Sequence, residues 1–150
     1  MTLLTSEIMS WIGRSEPLIK AEVTRRDIIK YAIATEQVRQ SYIDGDEAPP
    51  MFVFGLFRPV VPLNELAPDG LAPMGAMPEL PLKRIMAGGT RMTIHQSIHP
   101  GQKLAGIRTI TDIFEKKGRQ GPLIFLELGM RITTLSDELV IEEVQTRIAR

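Results

Sequence analysis

The sequence of 150 residues contains no cysteine and only two histidines, His95 and His99. The absence of cysteine excludes disulfides, thiolate metal ligands and a cysteine nucleophile. Two imidazoles without a third ligand nearby do not make a zinc site, so the sequence predicts no metal site. A glycine-rich dinucleotide fingerprint is also absent. We therefore expect a protein that needs no bound cofactor.

The chain also lacks an excess of charge and a long apolar run. Lys+Arg and Asp+Glu number 18 each, so the sequence has no electrostatic footprint for nucleic acid or an anionic membrane. The longest apolar stretch, residues 51–57, is too short to span a bilayer. Residues 1–14 carry Glu7 and lack the basic start and apolar run of a signal peptide. We expect a single cytoplasmic domain over residues 1–150.

The first zone of the chain, residues 2–42, has the pattern of helices. Thr24 and Asp27 are spaced as a capping box, which predicts that a helix begins there. After them, apolar side chains recur at spacings of three and four and so share one helix face. These side chains are Ile28, Ile29, Ala32 and Ile33. A shorter helix is predicted over residues 6–12, with Gly13 as its end.

The middle zone, residues 48–81, holds eight of the 11 prolines. Proline removes a backbone donor and fixes φ, so long regular elements are excluded from most of this zone. Residues 51–58 are free of proline and strongly apolar, but their periodicity does not separate a buried helix from a buried strand. Residues 63–77 are predicted to form a long loop, and such loops tend to be functional or to cover something.

The last zone, residues 85–148, has the alternating pattern of strands. We predict strands over residues 85–98, 103–114, 124–133 and 140–148, with a hairpin turn at 116–121. The last strand is half polar, with Val140, Val144 and Ile148 on one face. Short connections between neighbouring strands require antiparallel pairing, so we expect a meander. A helical first zone packed on such a sheet gives an α+β fold.

Six short motifs occur in a fixed order along the chain. They are W-I-G-R at 11–14, D-E-A-P-P at 46–50, L-A-P-D-G at 66–70, E-L-P-L-K-R-I-M-A-G-G at 79–89, H-P-G-Q-K-L at 99–104 and G-P-L at 121–123. Together they resemble the amino-terminal half of two-domain MaoC-like enoyl-CoA hydratases, particularly the mesaconyl-CoA and itaconyl-CoA hydratase group. The resemblance implies a hot-dog fold, an antiparallel sheet wrapped around a central helix, with residues 50–57 as that helix. It also implies chemistry in which water is added to, or removed from, an acyl-CoA thioester.

The catalytic residues of that family have no counterpart in this sequence. The family depends on an aspartate and a histidine in an Asp-x-Asn-Pro-x-His motif, which supplies a base and an acid at a fixed separation. The single asparagine, Asn64, lies between Leu63 and Glu65, and no aspartate stands five positions before either histidine. The resemblance therefore implies the non-catalytic half, made as a separate subunit that pairs with a catalytic hot-dog partner.

Three residues are weak candidates for catalysis by the chain alone. Asp46 and Glu47 belong to an acidic cluster ahead of the expected central helix, where carboxylates more often stabilise the helix dipole. His95 is predicted to share a strand face with His99, although a partly exposed pair on an edge strand is the simpler interpretation.

Substrate-binding candidates come from three chemical types. Gly88 and Gly89 would let backbone approach a thioester, and a β-bulge without any ligand would need the same residues. Among the basic residues, Arg84 is the first candidate for the CoA phosphates, with Lys83, Lys103 and Arg108 as further ones, although they also suit the wet face of a sheet. Among the apolar residues, Phe54, Met74 and Met77 are candidates for the acyl-binding wall, since methionine adapts to varied apolar shapes.

Three functions remain open from the sequence. The first is a non-catalytic hot-dog subunit that shapes the acyl and CoA pocket for a catalytic partner. The second is an acyl-CoA-binding or structural homodimer without turnover. The third is a hydratase acting alone through atypical residues.

Overall fold

The computed structural model describes residues 2–68, 70–72 and 75–150 as a five-stranded antiparallel sheet with four short helices. The helices are α1 (Ser6–Met9), α2 (Arg25–Ala34), α3 (Gln40–Ile43) and α4 (Phe52–Leu56), and a 3₁₀ turn covers Leu63–Glu65. The strands are β1 (Ile19–Glu22), β2 (Ile85–Ile94), β3 (Lys103–Gly118), β4 (Gly121–Thr134) and β5 (Leu139–Ala149). The predicted α+β class and the four strands of the last zone are confirmed. No helix in the described part of the chain is both long and apolar enough to cross a membrane.

The helix starts follow from local hydrogen bonds. The Thr24 hydroxyl oxygen accepts a hydrogen bond from the Asp27 backbone N–H and donates one to the Asp27 carboxylate, as the capping box predicts. Behind this cap, Ile28 and Ala32 of α2 are fully buried. Gly13, predicted to end the first helix, has a φ of +87°, a conformation that only glycine adopts at low cost.

The strand order is β1-β3-β4-β5-β2, which corrects the predicted meander. Strand β2 pairs with β5 and not with β3, because residues 95–102 carry the chain across the end of the sheet. Ile98 anchors this crossing: its side chain is buried, and its carbonyl accepts from the Ala48 N–H at 2.8 Å. Strand β1 was also not predicted and lies inside the zone expected to be helical. It forms the opposite edge of the sheet by pairing with β3.

One face of the sheet carries two buried apolar clusters. Against the first half of that face, α2 and α4 pack Ile28, Phe52, Val53 and Phe57 onto Leu104, Met130 and Ile132. Against the second half, α1 and the segment before β2 pack Ile8 and Leu80 onto Ile110, Leu126 and Leu128. We call this side of the sheet the inward face. The expected central helix is therefore confirmed at α4, although it is only one turn long.

The end of α4 lies close to the sheet because Gly106 has no side chain. A Cβ at Gly106 would stand 2.6 Å from Met130 Cε and 3.0 Å from the Phe57 ring. Phe57, only 1% exposed, occupies that space. The contact fixes where the chain leaves α4, and so it positions the next residue, Arg58.

Gly55 of α4 gives a stability prediction. It is exposed, and a Cβ built on it would meet nothing within 4 Å. Alanine loses less backbone entropy than glycine on entering a helix, so we expect Gly55→Ala to raise the free energy of unfolding by about 0.5–1 kcal/mol. Urea denaturation measures this change. A lower midpoint than that of the wild type would contradict the described surroundings of Gly55.

Candidate functional site

Three polar residues of β5 point into the inward face, where apolar side chains are the rule. Glu143, Gln145 and Arg147 lie opposite Met130, Leu128 and Leu126 of β4, and these three partners are buried. Glu143 is only 2% exposed and Gln145 is 6% exposed. Their strip separates the two apolar clusters on β5. We call these three residues the polar strip.

Hydrogen bonds link the polar strip along the strand. Gln145 Nε2 donates to Glu143 Oε1 at 2.7 Å, and Arg147 Nη2 donates to Gln145 Oε1 at 3.2 Å. Among the described residues, Arg147 forms no ion pair with a carboxylate, although it is partly buried. Arg147 therefore uses one of its five N–H donors in this side-chain hydrogen bond, and its acceptor, Gln145, is neutral.

Arg108 of β3 lies opposite Met130 of β4, on the side of Met130 away from Glu143. Its Nη1 lies 3.1 Å from Glu16 Oε2, in an ion pair whose side chains are 21% and 18% exposed. Its Nη2 lies 3.9 Å from Met130 Sδ. Arg108 therefore lies on the inward face, and the expectation that it belongs to a wet face of the sheet is wrong.

Arg58 is a further arginine whose charge acts on Arg147. It follows Phe57, the C-cap residue of α4, and its guanidinium carbon lies 4.4 Å from the centroid of the Phe54 ring. Within the described part of the chain it has no carboxylate partner. We call Arg58, Arg108 and Arg147 the arginine cluster.

The electrostatics of the cluster are visible at Arg147. Burial lowers the pKa of Arg147 below its ordinary value, and the charges of Arg58 and Arg108 lower it further. The Glu143 carboxylate acts in the opposite direction and is outweighed. Positive charge is therefore in excess at this point of the inward face.

Sequence patterns did not reveal this site. Simple alternation grouped Val140, Val144 and Ile148 on one face of the last strand. A register shift next to Ile132 buries both Val140 and Ile141, so the later alternation is reversed. The polar residues then face inward and Val144 faces outward. The available signal was that the odd-numbered positions of the strand are mostly polar (Glu143, Gln145 and Arg147), while the other face also carries polar residues.

The acidic candidates lie in ion pairs at the helical side of the molecule. Asp46 is exposed, and its Oδ1 lies 2.5 Å from Arg25 Nη1. Glu47 is bound by Arg39 at 3.2 Å, and its carboxylate accepts from Ser97 at 3.0 Å. Asp46 thus links the segment before α4 to the start of α2, and Glu47 links it to the start of α3 and to the crossing segment.

The two histidines are not neighbours on one strand, because β2 ends at Ile94. His95 Nε2 lies 2.9 Å from Glu142 Oε2, on the side of the sheet opposite the polar strip. His99 Nδ1 lies 2.8 Å from the backbone oxygen of Asp46, at the turn before β3. The predicted shared face is therefore wrong.

Gly88 and Gly89 form a bulge in β2, where the register shifts after Ala87. A Cβ at Gly88 would come within 2.9 Å of Ile148 Cδ1, whereas Gly89 has a φ of +152° and open space. The bulge explains both glycines without a ligand, and Gly89 still offers backbone that a ligand can approach.

The remaining candidates are scattered. Arg84, Lys83 and Lys103 are exposed, and Lys83 pairs with Glu79 at 3.0 Å. Met77 packs on the second apolar cluster, and Phe54 is half-buried under Arg58. Met74 lies outside the described residues.

Two concavities formed by the described residues lie near the ends of the sheet, and neither is lined by the polar strip. A wide, open one of about 650 Å³ lies between Thr2, Leu3 and the β3–β4 hairpin end. A second lies beside Arg108, Glu16 and Ile110, and its volume of about 10 Å³ has room for little more than one water molecule.

Comparisons with known proteins agree with this fold. Residues 10–143 match the model of the FAS1-like, dehydratase domain region. Mesaconyl-C(4)-CoA hydratase from Chloroflexus aurantiacus is 30% identical over 97% of the chain, which spans 52% of that relative's length. The chain thus corresponds to about half of the curated relative it matches.

Solved structures show the same fold at low identity. The ChsH1–ChsH2 complex from Mycobacterium tuberculosis superposes with a TM-score of 0.66 at 15% identity, covering 90% of this chain and 88% of the other. The HadBC complex, a (3R)-hydroxyacyl-ACP dehydratase from the same organism, superposes with a TM-score of 0.58 at 18% identity, covering 93% and 97%. The family match over most of the chain and the shared hot-dog fold confirm the resemblance found in the sequence, and the chain belongs to the FAS1-like, MaoC-like dehydratase domain family.

Proposed function

We propose that this chain is a non-catalytic hot-dog subunit of an enoyl-CoA hydratase or dehydratase. In this role it pairs with a catalytic hot dog and forms part of the wall around the acyl group and the CoA arm. The proposal rests on one observation. The chain matches the dehydratase family but lacks the Asp-x-Asn-Pro-x-His motif of that family.

The positions of the titratable groups support this role. Hydration of a conjugated thioester needs one group that activates water and another that protonates the α carbon, both near the same substrate. Asp46 is held by Arg25 of α2 and Glu47 by Arg39 at the start of α3, whereas His95 contacts Glu142 beyond the end of β2. These groups do not converge on one point, so chemistry is assigned to the partner.

Strand β2 supplies an edge for such a partner. It is ten residues long, and all of them except Ile85 and Met92 are exposed. An exposed edge of this length presents unpaired backbone donors and acceptors, which proteins usually block unless another chain pairs there. A partner strand added to β2 would continue the sheet by main-chain hydrogen bonds.

The half-length match and the structural neighbours favour a different chain as that partner. The Chloroflexus hydratase is about twice as long as this chain, so it has room for a second domain of similar size. Two structures with the same fold were solved as complexes, ChsH1–ChsH2 and HadBC. We therefore assign the partner as a hot-dog protein that carries the Asp and His motif.

The test uses a defined partner: the half of the Chloroflexus hydratase that this chain does not match. We expect no loss of the conjugated double bond when the purified chain alone is mixed with trans-2-enoyl-CoA thioesters, including mesaconyl-CoA. We expect turnover in the mixture to exceed that of the partner half alone by at least tenfold, because the pocket is then complete. Ultraviolet absorbance of the enoyl thioester measures the rate.

Two controls separate the alternatives. A partner whose motif aspartate is changed to asparagine must leave the mixture inactive. Turnover by the chain alone, lost in Asp46→Asn or His95→Gln, would establish the stand-alone hydratase instead. Acyl-CoA binding with no turnover in any mixture would favour the homodimer without activity.

Hydrogen exchange tests the position of the interface. Exchange of the backbone amides of Ile85–Ile94 should slow when the partner is added, and unchanged exchange there would place the interface elsewhere.

A further inference from the structure

We propose that the side of the sheet opposite the inward face binds a second copy of this chain, so that two sheets pack face to face. We call this side the outward face. The contact leaves the edge of β2 free for a catalytic partner, so it goes beyond the proposed function and does not depend on it.

The first argument is an apolar row that crosses four strands of the outward face. Its members lie directly opposite one another in the register of β3, β4, β5 and β2, and they are Phe114, Phe125, Ile148 and Met86. We call these four residues the outward row. The rings of Phe114 and Phe125 stack with their centroids 5.1 Å apart, and Met86 is 45% exposed. None of the four belongs to the two buried clusters of the described residues. A solvated sheet face normally carries polar side chains, so an unbroken apolar row indicates a contact surface.

A basic border lies beside the outward row, towards the β3–β4 hairpin. The Nζ of Lys116 lies 5.1 Å and 5.0 Å from the centroids of the Phe114 and Phe125 rings. At the same level of the sheet, Arg84 and Arg150 are exposed and exchange two backbone hydrogen bonds of 3.2 Å and 2.9 Å. Among the described residues, none of these three cations forms an ion pair with a carboxylate. They therefore remain available to an anionic group of another molecule.

An acidic border lies on the other side of the outward row. Asp112 and Glu127 lie directly opposite each other on β3 and β4, two positions from Phe114 and Phe125. Glu127 has buried neighbours on both sides in β4, so its side chain points outward. Like charges directly opposite in a sheet repel each other, and no described cation pairs with either carboxylate. A cation from another molecule would relieve this repulsion.

The occupant is assigned as a second copy because the two borders have opposite signs. A two-fold axis along the outward row stacks each row on its counterpart and sets the basic border of one copy against the acidic border of the other. The strands of the two sheets then stay aligned, as is common where sheets pack face to face. A partner with a surface of one charge sign would be repelled by one of the borders, whereas a second copy satisfies both.

The size of the outward face is that of a weak, specific dimer. The four strands that carry the outward row have 10, 11, 14 and 16 residues. Four strands of about ten residues present a face of roughly 600 Å², which is near the lower limit for a specific contact. We therefore expect a dissociation constant in the micromolar range.

Sedimentation equilibrium of the purified chain measures this dimer, and charge reversal tests its geometry. Lys116→Glu and Glu127→Lys should each raise the dissociation constant at least tenfold, because two symmetric contacts become repulsive. An equimolar mixture of the two variants should bind more tightly than either variant alone. In the mixed dimer, both contacts between positions 116 and 127 again join opposite charges.

A second pair of variants tests the outward row itself. Met86→Lys should weaken the dimer at least tenfold, because it sets two charges against each other where the rows stack. Ile94→Lys is the matched control: Ile94 is an exposed apolar residue of the same strand, but it lies opposite the buried Ile141 and so on the inward face. It should leave the dissociation constant unchanged. Both side chains are exposed in the single chain, so both variants should fold, and circular dichroism checks this.

Three results would overturn the inference. One is a wild-type chain that is still monomeric at about 1 mM, where even weak specific contacts form. Another is a mixture of the two charge variants that binds no better than its components. The third is a dimer weakened by Ile94→Lys and not by Glu127→Lys, which would lie at the edge of β2. These measurements need neither a substrate nor a catalytic partner, so their failure leaves the proposed function untouched, and a failed turnover assay leaves the dimer interpretable.

Discussion

Replacing Phe57 by alanine should lower the free energy of unfolding by about 3–5 kcal/mol, the usual cost of removing a buried aromatic ring. The ring is 1% exposed and fills the space above Gly106 beside Met130. Neighbours on a sheet cannot move far enough to close the gap. For a domain of this size the melting temperature should fall by about 10 °C.

Phe54 of α4 provides a matched control for Phe57, which caps the same helix. It is half-buried, and one face of its ring is covered by Arg58. We expect Phe54→Ala to cost about 1 kcal/mol or less, as is usual for substitutions outside the core. Thermal and urea denaturation of both variants measure the difference. Equal losses would mean that Phe57 does not anchor the end of α4.

For the polar strip, removing one side chain should lower stability, whereas replacing Glu143 and Gln145 together by apolar residues should not. In Gln145→Leu, the Glu143 carboxylate loses the one side-chain donor described for it and remains buried, so we expect a loss of about 1–3 kcal/mol. Changing Glu143 and Gln145 to leucine together removes the unsatisfied group. The double variant should recover the wild-type stability or exceed it, as buried polar groups replaced by apolar ones often do.

A double-mutant cycle in urea measures this coupling. Additive losses from Glu143→Leu and Gln145→Leu would show that the two side chains do not act as a pair.

Sequence patterns predicted the parts of the fold that depend on near neighbours. The Thr24 cap and the hairpin between β3 and β4 use residues a few positions apart, so their chemistry is visible locally. Strand β1 was missed because it is short and its partners lie on β3, far along the chain. The pairing of β2 with β5 was missed for the same reason.

The candidate site was harder to predict than the fold. Asp46, Glu47 and His95 were found because ionisable residues stand out in a sequence. Asp46 and Glu47 lie in ion pairs with arginines, and His95 lies in hydrogen-bond contact with Glu142. Arg147 was missed because its face depends on one register shift near Val140. A one-residue shift reverses which side chains face the core, and sequence alternation gives no warning of it.

Both edge strands of the sheet pair with strands far along the chain. Strands β3, β4 and β5 are joined by short turns, so they can assemble early from local contacts. The edge next to β3 forms only when the segment from Ser15 to β1 pairs with β3, and Ser15 and Thr109 are 94 positions apart in the chain. Closing so long a loop costs entropy and slows folding. During synthesis, β1 leaves the ribosome before its partner β3, so it cannot pair until β3 has been made. A sheet of β3, β4 and β5 alone would have both of its edges unpaired. A second chain that paired with β2 at that stage would cover an exposed edge and so protect the protein from aggregation.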